Sequence, residues 1–313
     1  DRLLFLAVVT QNLMFGLIFG LMNWRLGTAT LAEVHSRLAL IYIISGLSGY
    51  FVMSANLYLL CEWIGFFDDE RHRDKLYSPV SFVLSQFFAV LPLNIVAPIP
   101  MCILVYLMAN LRLDVAVAPV VFYSVLVLVR THSSALAIFF TVLVPRRSFA
   151  ASSVVTNAFF LLCIFTGGFL TPTASLPSFL SWFRWLAYTY YAFRWNASAQ
   201  FSDFTMDVGL PGWIILEQLG FEEHDFLNPP LCILGLTCGW LLLAVVALCL
   251  LAPSQPPPPA EGDVAMVAAS ETGSPSGLPG ALGAPNAMAA SDANPCTGID
   301  AEIGESRPSG VDV

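Results

Sequence analysis

Six long apolar runs constrain this chain more than any other feature of its sequence. A helix needs about 20 mostly apolar residues to cross a bilayer, and each run is close to that length or longer. A cleavable signal peptide is a poor interpretation of the first run, since no small-residue cleavage site follows it and five further runs do. We therefore predict an all-α membrane protein with six transmembrane helices. The predicted helices cover about residues 3–22, 38–60, 80–108, 115–144, 149–170 and 231–251.

Composition excludes an ordinary soluble enzyme. Of the 313 residues, 57% are apolar and only 11% are charged, whereas soluble domains carry about 25% charged residues. The net charge of −9 resides mainly in residues 252–313, which hold eight acidic residues and one arginine. This stretch is rich in proline, glycine and alanine and is predicted to be a disordered cytoplasmic tail. No basic patch favours nucleic acid as a partner.

The connections between the apolar runs indicate an orientation. Five cations lie in the loops on one side of the membrane, at Arg71, Arg73, Lys75, Arg146 and Arg147. Three lie on the other side, at positions 25, 37 and 112. The positive-inside rule then places the N-terminus and the tail in the cytoplasm. The membrane itself, whether plasma membrane or organelle, is left open.

The long segment 171–230 should therefore lie outside. It is dense in aromatic residues, which favour the membrane–water boundary, and it predicts two short interfacial or re-entrant helices. A polar cap over residues 222–225 is expected to follow. Asn196 begins a glycosylation sequon, but its aromatic surroundings argue against its use.

Motifs for catalysis are missing from the sequence. A P-loop requires a Gly-Lys pair, and the single lysine of the chain, Lys75, follows Asp74. The four histidines are scattered without metal-ligand spacing, and no G-x-S-x-G occurs. We therefore expect no catalytic residue, no metal site and no bound cofactor in this chain.

Polar residues within the apolar runs are candidates for function, because they are costly in a membrane and usually face a bundle interior or a cavity. For each of them, hydrogen bonding between helices and contact with a substrate are the two open interpretations. For Arg130 and His132, snorkelling or pairing within the bundle is preferred to substrate binding. The most informative polar positions are Gln11, Asn12, Ser45, Ser48, Asn94 and Asn157.

Residues 62–73 form a further candidate. They combine three aromatic residues with a run of charges, which is typical of an amphipathic cytoplasmic helix. Such a run is usually a solvated face, but the aromatic side chains also suit a partner protein.

In this order the segments resemble the membrane domain of ABC transporters of subfamily G, the White-type half-transporters with an ABC-2 membrane fold. Each motif is degenerate, but their sequence along the chain is specific. The resemblance covers about residues 3–251 and is carried by residues 62–67, 76–82, 91–108, 166–193 and 215–221.

The resemblance implies a dimer, either of two copies or with another half-transporter, around a cavity lined by the first, second and fifth transmembrane helices. Nucleotide-binding domains carrying ATP and Mg²⁺ would drive this cavity from inward-facing to outward-facing. These nucleotide-binding domains would lie upstream in the same chain or on a separate chain. The resemblance implies Tyr50 or Phe51 and Asn94 as cavity residues, and the polar residues Asn12, Ser48 and Asn157 are the further candidates for that cavity. An exit plug is implied at Phe169 and Leu170, and contact with the ATPase at Glu62, Phe66, Glu70 and Arg71.

The expected function is thus that of the membrane-spanning part of an ATP-driven exporter of lipids, sterols or amphipathic small molecules. Two alternatives remain. An ATP-independent channel or secondary transporter would need repeated halves or intramembrane carboxylates, and neither is evident. A non-transporting scaffold would depend on its acidic tail rather than on its helices.

Overall fold

Six helical segments are long and apolar enough to cross a membrane, which confirms the predicted all-α architecture. The computed structural model describes residues 2–73, 78–113, 117–144, 148–171, 177–202, 205, 207, 209, 211–221 and 226–251, without the side chains of residues 4, 65 and 68–73. The predicted tail and the polar cap at 222–225 lie outside the described residues. The six spans are Phe5–Met22, Leu31–Ile64, Pro79–Met108, Val117–Leu143, Phe149–Thr166 and Asn228–Leu250.

Within the described residues, ten α-helices and one 3-10 helix make up these spans and the segment between the last two. The 3-10 helix is Trp182–Trp185. The α-helices are α1 Arg2–Met22, α2 Leu31–Arg73, α3 Pro79–Val96, α4 Ile99–Met108, α5 Val117–Leu143, α6 Phe149–Thr166, α7 Ser178–Ser181, α8 Tyr188–Phe201, α9 Gly212–Leu219 and α10 Asn228–Leu250.

Helix α2 is one continuous helix that includes the segment predicted to be a separate amphipathic helix. It has 43 residues and no proline that would interrupt it. At 1.5 Å per residue its length is about 65 Å, roughly twice the thickness of the hydrocarbon core. Because its charged residues cluster after Glu62, this C-terminal part projects beyond the apolar span.

The third span is broken into α3 and α4, as its prolines suggested. Helix α3 ends at Val96, and Pro98 caps α4 without a backbone N–H to continue the earlier helix. Helix α1 packs along α4, and the approach is close because Gly16 faces the backbone of Met101. A Cβ at Gly16 would lie 2.9 Å from the Met101 Cα.

Helix α5 is the centre of the bundle. Its span is 83% buried, against 17–61% for the other five spans, and it packs against α2, α3, α6, α8 and α10. Hydroxyl, imidazole and guanidinium groups follow one another along its middle, from Arg130 to Ser134, and all are buried. These groups need hydrogen-bond partners in a membrane. The position of α5 therefore determines where polar residues of the neighbouring helices can form hydrogen bonds.

In the outer segment, for which interfacial or re-entrant helices were predicted, α8 is buried on nearly every side. Its polar side chains reach other helices instead of water. Asn196 Nδ2 donates to Ser45 Oγ of α2 at 3.0 Å, and Gln200 Nε2 donates to the Tyr106 hydroxyl of α4 at 2.6 Å. Asn196 is therefore inaccessible as a glycosylation acceptor in the folded chain.

Candidate functional site

A cavity lies between α1, α2, α3, α4 and α5, at the level of the middle of α5. Most of its wall is apolar, but amide, hydroxyl and guanidinium groups converge on it. The side chains that line it are Val8, Gln11, Asn12, Phe15, Phe19, Ile44, Leu47, Ser48, Phe51, Val52, Ala55, Asn56, Val90, Leu93, Asn94, Met101 and Arg130. We call this space the Arg130 cavity.

Ser134 of α5 joins three helices beside the Arg130 cavity. Its Oγ accepts from Asn56 Nδ2 of α2 and from Asn94 Nδ2 of α3, each at 2.8 Å. The same hydroxyl donates to the carbonyl of Arg130 at 3.0 Å. A serine hydroxyl offers one donor and two acceptor positions, so this group is fully used. The arrangement fixes the two amides at the cavity wall.

Arg130 joins α5 to α1. Its Nη1 donates to Asn12 Oδ1 at 3.0 Å, and Asn12 Nδ2 donates to the carbonyl of Val8 at 2.7 Å. Arg130 is 3% exposed and its Nε has no partner in the described part of the chain. Ser48, at the same cavity, also has a buried hydroxyl that nothing described satisfies. The cavity therefore retains donor capacity for a bound group.

Four of the six predicted cavity residues meet at this cavity: Asn12, Ser48, Phe51 and Asn94. The Phe51 ring stacks on Phe15 of α1, with ring centroids 4.2 Å apart. These four residues come from α1, α2 and α3, whereas the resemblance implied the first, second and fifth spans of two copies. The described cavity lies within one chain.

Tyr50 and Asn157 lie elsewhere, between α2 and α6. The Tyr50 ring packs against Phe160 of α6, with centroids 4.6 Å apart. Asn157 lies one turn before Phe160 and donates to Ser153 Oγ of its own helix at 3.3 Å. Tyr50 and Phe51, which the sequence left as alternatives, therefore face different neighbours.

Phe169 and Leu170, the predicted exit plug, follow α6 and differ in burial. Gly168 has φ of 90°, a conformation that favours glycine, and it turns the chain back toward α2. The Phe169 ring then packs near His35, Tyr42 and Phe193, with centroids 5.1, 5.3 and 5.7 Å away. Leu170 is 52% exposed. Only Phe169 is thus part of an aromatic cluster between α2 and α8.

The predicted ATPase contact lies on the C-terminal part of α2. Glu62 and Phe66 are exposed there, whereas the side chains of Glu70 and Arg71 lie outside the described residues. The neighbouring Phe67 is buried and stacks on Phe82 of α3 at 4.2 Å. This stack anchors the projecting part of α2 to α3, and it leaves Phe66 free to meet another surface.

Asn56 and Ser134 were missed as site residues. Asn56 lies eight residues after Ser48, and Ser134 lies four residues after Arg130. Each therefore shares a helical face with a polar residue that the sequence did single out. This spacing is the sequence feature from which Asn56 and Ser134 could have been predicted as site residues. Within the described residues, no group of three or more His, Cys, Asp or Glu side chains is arranged to hold a metal ion.

Comparison with known proteins agrees with this architecture. The model of the family described as "ABC-2 type transporter" matches residues 1–201. This chain therefore belongs to the ABC-2 type transporter family, and it is the membrane domain of a multi-pass membrane protein. Its similarity to named relatives points to the G subfamily within that family.

The relatives are distant and much longer. ABC transporter G family member 22 of Arabidopsis thaliana is 23% identical over 245 residues, which cover 77% of this chain and 30% of the relative. An uncharacterized ABC transporter ATP-binding protein/permease of Saccharomyces cerevisiae is 22% identical over 255 residues, covering 79% and 19%. ABC transporter G family member 41 of Oryza sativa subsp. japonica is 28% identical over 123 residues, covering 39% and 8%. The chain thus spans less than a third of the length of these relatives.

Proposed function

We propose that this chain is the membrane-spanning part of an ATP-driven exporter of lipids, sterols or other amphipathic small molecules. Two such domains would work as a dimer, of identical or different half-transporters. Nucleotide-binding domains, in the same chain or on a partner, would bind ATP and Mg²⁺ and switch the pathway between inward-facing and outward-facing states. Family membership supports the transport role, similarity to the G-family relatives supports the dimer and the nucleotide-binding domains, and the substrate class is argued from the site.

The Arg130 cavity is the observation that carries the proposal. Ligand sites for amphipathic molecules have mostly apolar walls with a few polar groups that fix orientation. Here Phe15, Phe19 and Phe51 supply apolar wall, and Asn12 and Asn94 supply polar groups at membrane depth. Such polar groups are expensive in a bilayer unless they are used.

Coupling to ATP hydrolysis is proposed for the C-terminal part of α2. Glu62 and Phe66 are exposed on a helix that extends well beyond the bilayer thickness, in the region that the cation distribution assigns to the cytoplasm. A rigid helix that runs from the projecting end to Ser48 and Phe51 can carry a displacement to the Arg130 cavity. With this orientation the segment between α6 and α10 lies outside.

The direct test reconstitutes the full-length protein, with its nucleotide-binding domain, into vesicles containing fluorescent phospholipid and sterol analogues. We expect transport that requires ATP and falls at least fivefold in Asn94→Ala. Asn23→Ala is the matched control, since Asn23 donates to the carbonyl of Phe19 one turn earlier and its side chain is not among those that line the cavity. Transport without ATP would indicate a channel instead. Absence of transport, with a cellular role that depends on residues 252–313, would indicate a scaffold.

A further inference from the structure

A groove between α2 and α3 leads to the Arg130 cavity. It consists of two hollows that share Trp63 and Gln86, and the inner hollow shares Asn56 and Val90 with the cavity. The inner hollow is lined by Asn56, Leu59, Leu60, Trp63, Gln86, Ala89, Val90, Ser134 and Ile138. The outer hollow is lined by Trp63, Phe66, Phe67, Ser81, Phe82, Ser85 and Gln86. We call the two hollows together the α2–α3 groove.

One face of each helix forms the walls of this groove. On α3 the lining residues of the cavity and groove recur every three or four positions from Ser81 to Asn94, and on α2 they do so from Ile44 to Phe67. Such spacing places them in one continuous stripe. The stripe on α2 is about 35 Å long, comparable to the hydrocarbon thickness of a bilayer. Ser134 and Ile138 of α5 form the floor.

The sizes of the parts suit a molecule with a small head and long tails. The space open to the centre of a water molecule is about 40 Å³ in the Arg130 cavity. In the inner and outer hollows it is about 460 and 440 Å³. The cavity therefore has room for a compact polar group, whereas the groove has room for hydrocarbon chains. Ser81, Ser85 and Gln86 provide polar contacts along the way.

The charge at the inner end selects the kind of head group. Arg130 is the middle residue of α5, its guanidinium stays ionised, and no acidic side chain is among the described residues that line the cavity or the groove. The other buried arginine described, Arg37, donates to the carbonyls of Leu26 and Asn110, with Glu33 and Asp207 near enough to interact electrostatically. Among the described residues, the only side-chain hydrogen-bond partner of Arg130 is the neutral Asn12. A buried cation without a counter-ion is costly, so an anionic ligand is favoured.

We propose that the α2–α3 groove binds a phospholipid with an anionic head group, which approaches Arg130 while the acyl chains occupy the groove. The outer hollow lies at the end of α2 that the proposed function assigns to the cytoplasm, and this part of the inference rests on that function. Acidic phospholipids give the cytoplasmic leaflet its negative potential. Lipid of this class is therefore available on the side where the groove opens, and to reach Arg130 it would enter the groove head group first, with its acyl chains following.

The test measures lipid binding by the full-length protein, delipidated in detergent and without ATP. Dioleoyl-phosphatidic acid and dioleoyl-phosphatidylcholine are titrated separately, and thermal stabilisation and native mass spectrometry report the bound lipid. We expect the acidic lipid to bind the wild type at least tenfold more tightly than the zwitterionic lipid. Arg130→Gln should remove this preference, and Arg130→Lys should retain part of it. Inorganic phosphate, titrated alone, should bind at least a hundredfold more weakly than the acidic lipid.

Two matched pairs separate the groove from general effects. Ala89→Trp fills the inner hollow and should weaken binding of the acidic lipid at least fivefold, whereas Leu84→Trp, on another face of α3, should not. Arg25→Gln removes an exposed positive charge and should leave the preference unchanged. Because Ala89→Trp leaves Arg130 and Asn12 in place, it tests the groove even if Arg130→Gln folds poorly.

Unchanged preference in a folded Arg130→Gln variant, or unchanged binding in Ala89→Trp, would overturn the proposal. Tight binding of inorganic phosphate would also overturn it, in favour of a small-anion site. The outcomes are separable from those of the proposed function. A preference for the acidic lipid without ATP-driven transport would support the groove as a lipid site and contradict the proposed exporter function. ATP-driven transport that is unchanged in Arg130→Gln and Ala89→Trp would support the exporter and argue against the groove as a lipid site.

Discussion

Asn56 of α2 and Asn94 of α3 donate to the same atom, the Oγ of Ser134, at equal distances of 2.8 Å. Two helices that form opposite walls of the α2–α3 groove are therefore tied to one hydroxyl on α5. Because that hydroxyl also donates to the Arg130 carbonyl at 3.0 Å, the position of both walls is coupled to the helix that carries the buried cation.

Replacing this shared hydroxyl should destabilise the bundle. Ser134→Ala removes the acceptor of two buried amides, and hydrogen bonds between membrane helices are worth about 0.5–2 kcal/mol each. We expect a lower unfolding midpoint in thermal denaturation of the purified protein. Ser36→Ala is the control, since the Ser36 hydroxyl makes an exposed hydrogen bond to the carbonyl of Ala32 in its own helix. Equal midpoints for the two variants would mean that the amides find other partners.

The close approach of α2 and α5 at Gly49 gives a second prediction. A Cβ at Gly49 would lie 2.7 Å from Ser133 Oγ and 2.8 Å from Val129 Cγ1, so in Gly49→Ala these side chains or the two helices must move. Overpacking of this kind costs about 1–3 kcal/mol. At Gly239 of α10 an added Cβ meets nothing within 4 Å, and alanine there favours the helix by up to about 1 kcal/mol.

Thermal denaturation of the two glycine variants in the same detergent compares them directly. Gly49→Ala should lower the midpoint and Gly239→Ala should leave it unchanged or raise it. A Gly49→Ala variant as stable as Gly239→Ala would show that α2 and α5 can separate freely at this level.

Much of the fold was predictable because a membrane imposes simple length and polarity rules. The six spans follow from apolar runs, and the break near Pro98 follows from proline chemistry. The continuity of α2 into its charged end was not predictable, since the residues after Glu62 suit both one long helix and two. The choice between an interfacial and a re-entrant α8 was also not predictable, because its partners, such as Ser45 for Asn196, lie 151 residues away in the sequence.

The candidate site, like the fold, was predictable only in part. Single polar residues such as Asn12 and Asn94 stand out in apolar runs, and the structure brings these two to one cavity. Whether they lie close to Asn56 and Ser134 depends on how each helix is rotated about its own axis, which an isolated sequence does not specify. Tyr50 and Phe51 illustrate this, since a difference of one position, about 100° on a helix, sends one ring to α6 and the other to α1.

The adjacent residues Phe66 and Phe67 at the end of α2 should differ in their contributions to stability. Phe67 is buried against Phe82, so Phe67→Ala should cost about 3–5 kcal/mol of stability. Phe66 is 60% exposed, so Phe66→Ala should leave the unfolding midpoint unchanged. If Phe66 meets the ATPase, the same variant should reduce transport per ATP hydrolysed by at least threefold.

The measurement follows ATP hydrolysis and lipid transport in parallel for the full-length protein in vesicles. Tyr58→Ala serves as a control, because Tyr58 is as exposed as Phe66 but lies within the apolar span of α2. An unchanged ratio of transport to hydrolysis in Phe66→Ala would place the coupling contact elsewhere.

Phe169 and Leu170 allow the proposed exit plug to be tested by comparison of neighbours. Phe169→Ala removes a ring that packs near Tyr42, Phe193 and His35, and aromatic contacts of this kind contribute about 0.5–1.5 kcal/mol each beyond buried area. We expect a lower unfolding midpoint, and, if the ring closes the pathway, increased leak of a fluorescent lipid analogue without ATP. Leu170→Ala should change stability little, since half of that side chain is already exposed. Leak in Leu170→Ala but not in Phe169→Ala would assign closure to Leu170 and leave the aromatic cluster with a structural role alone.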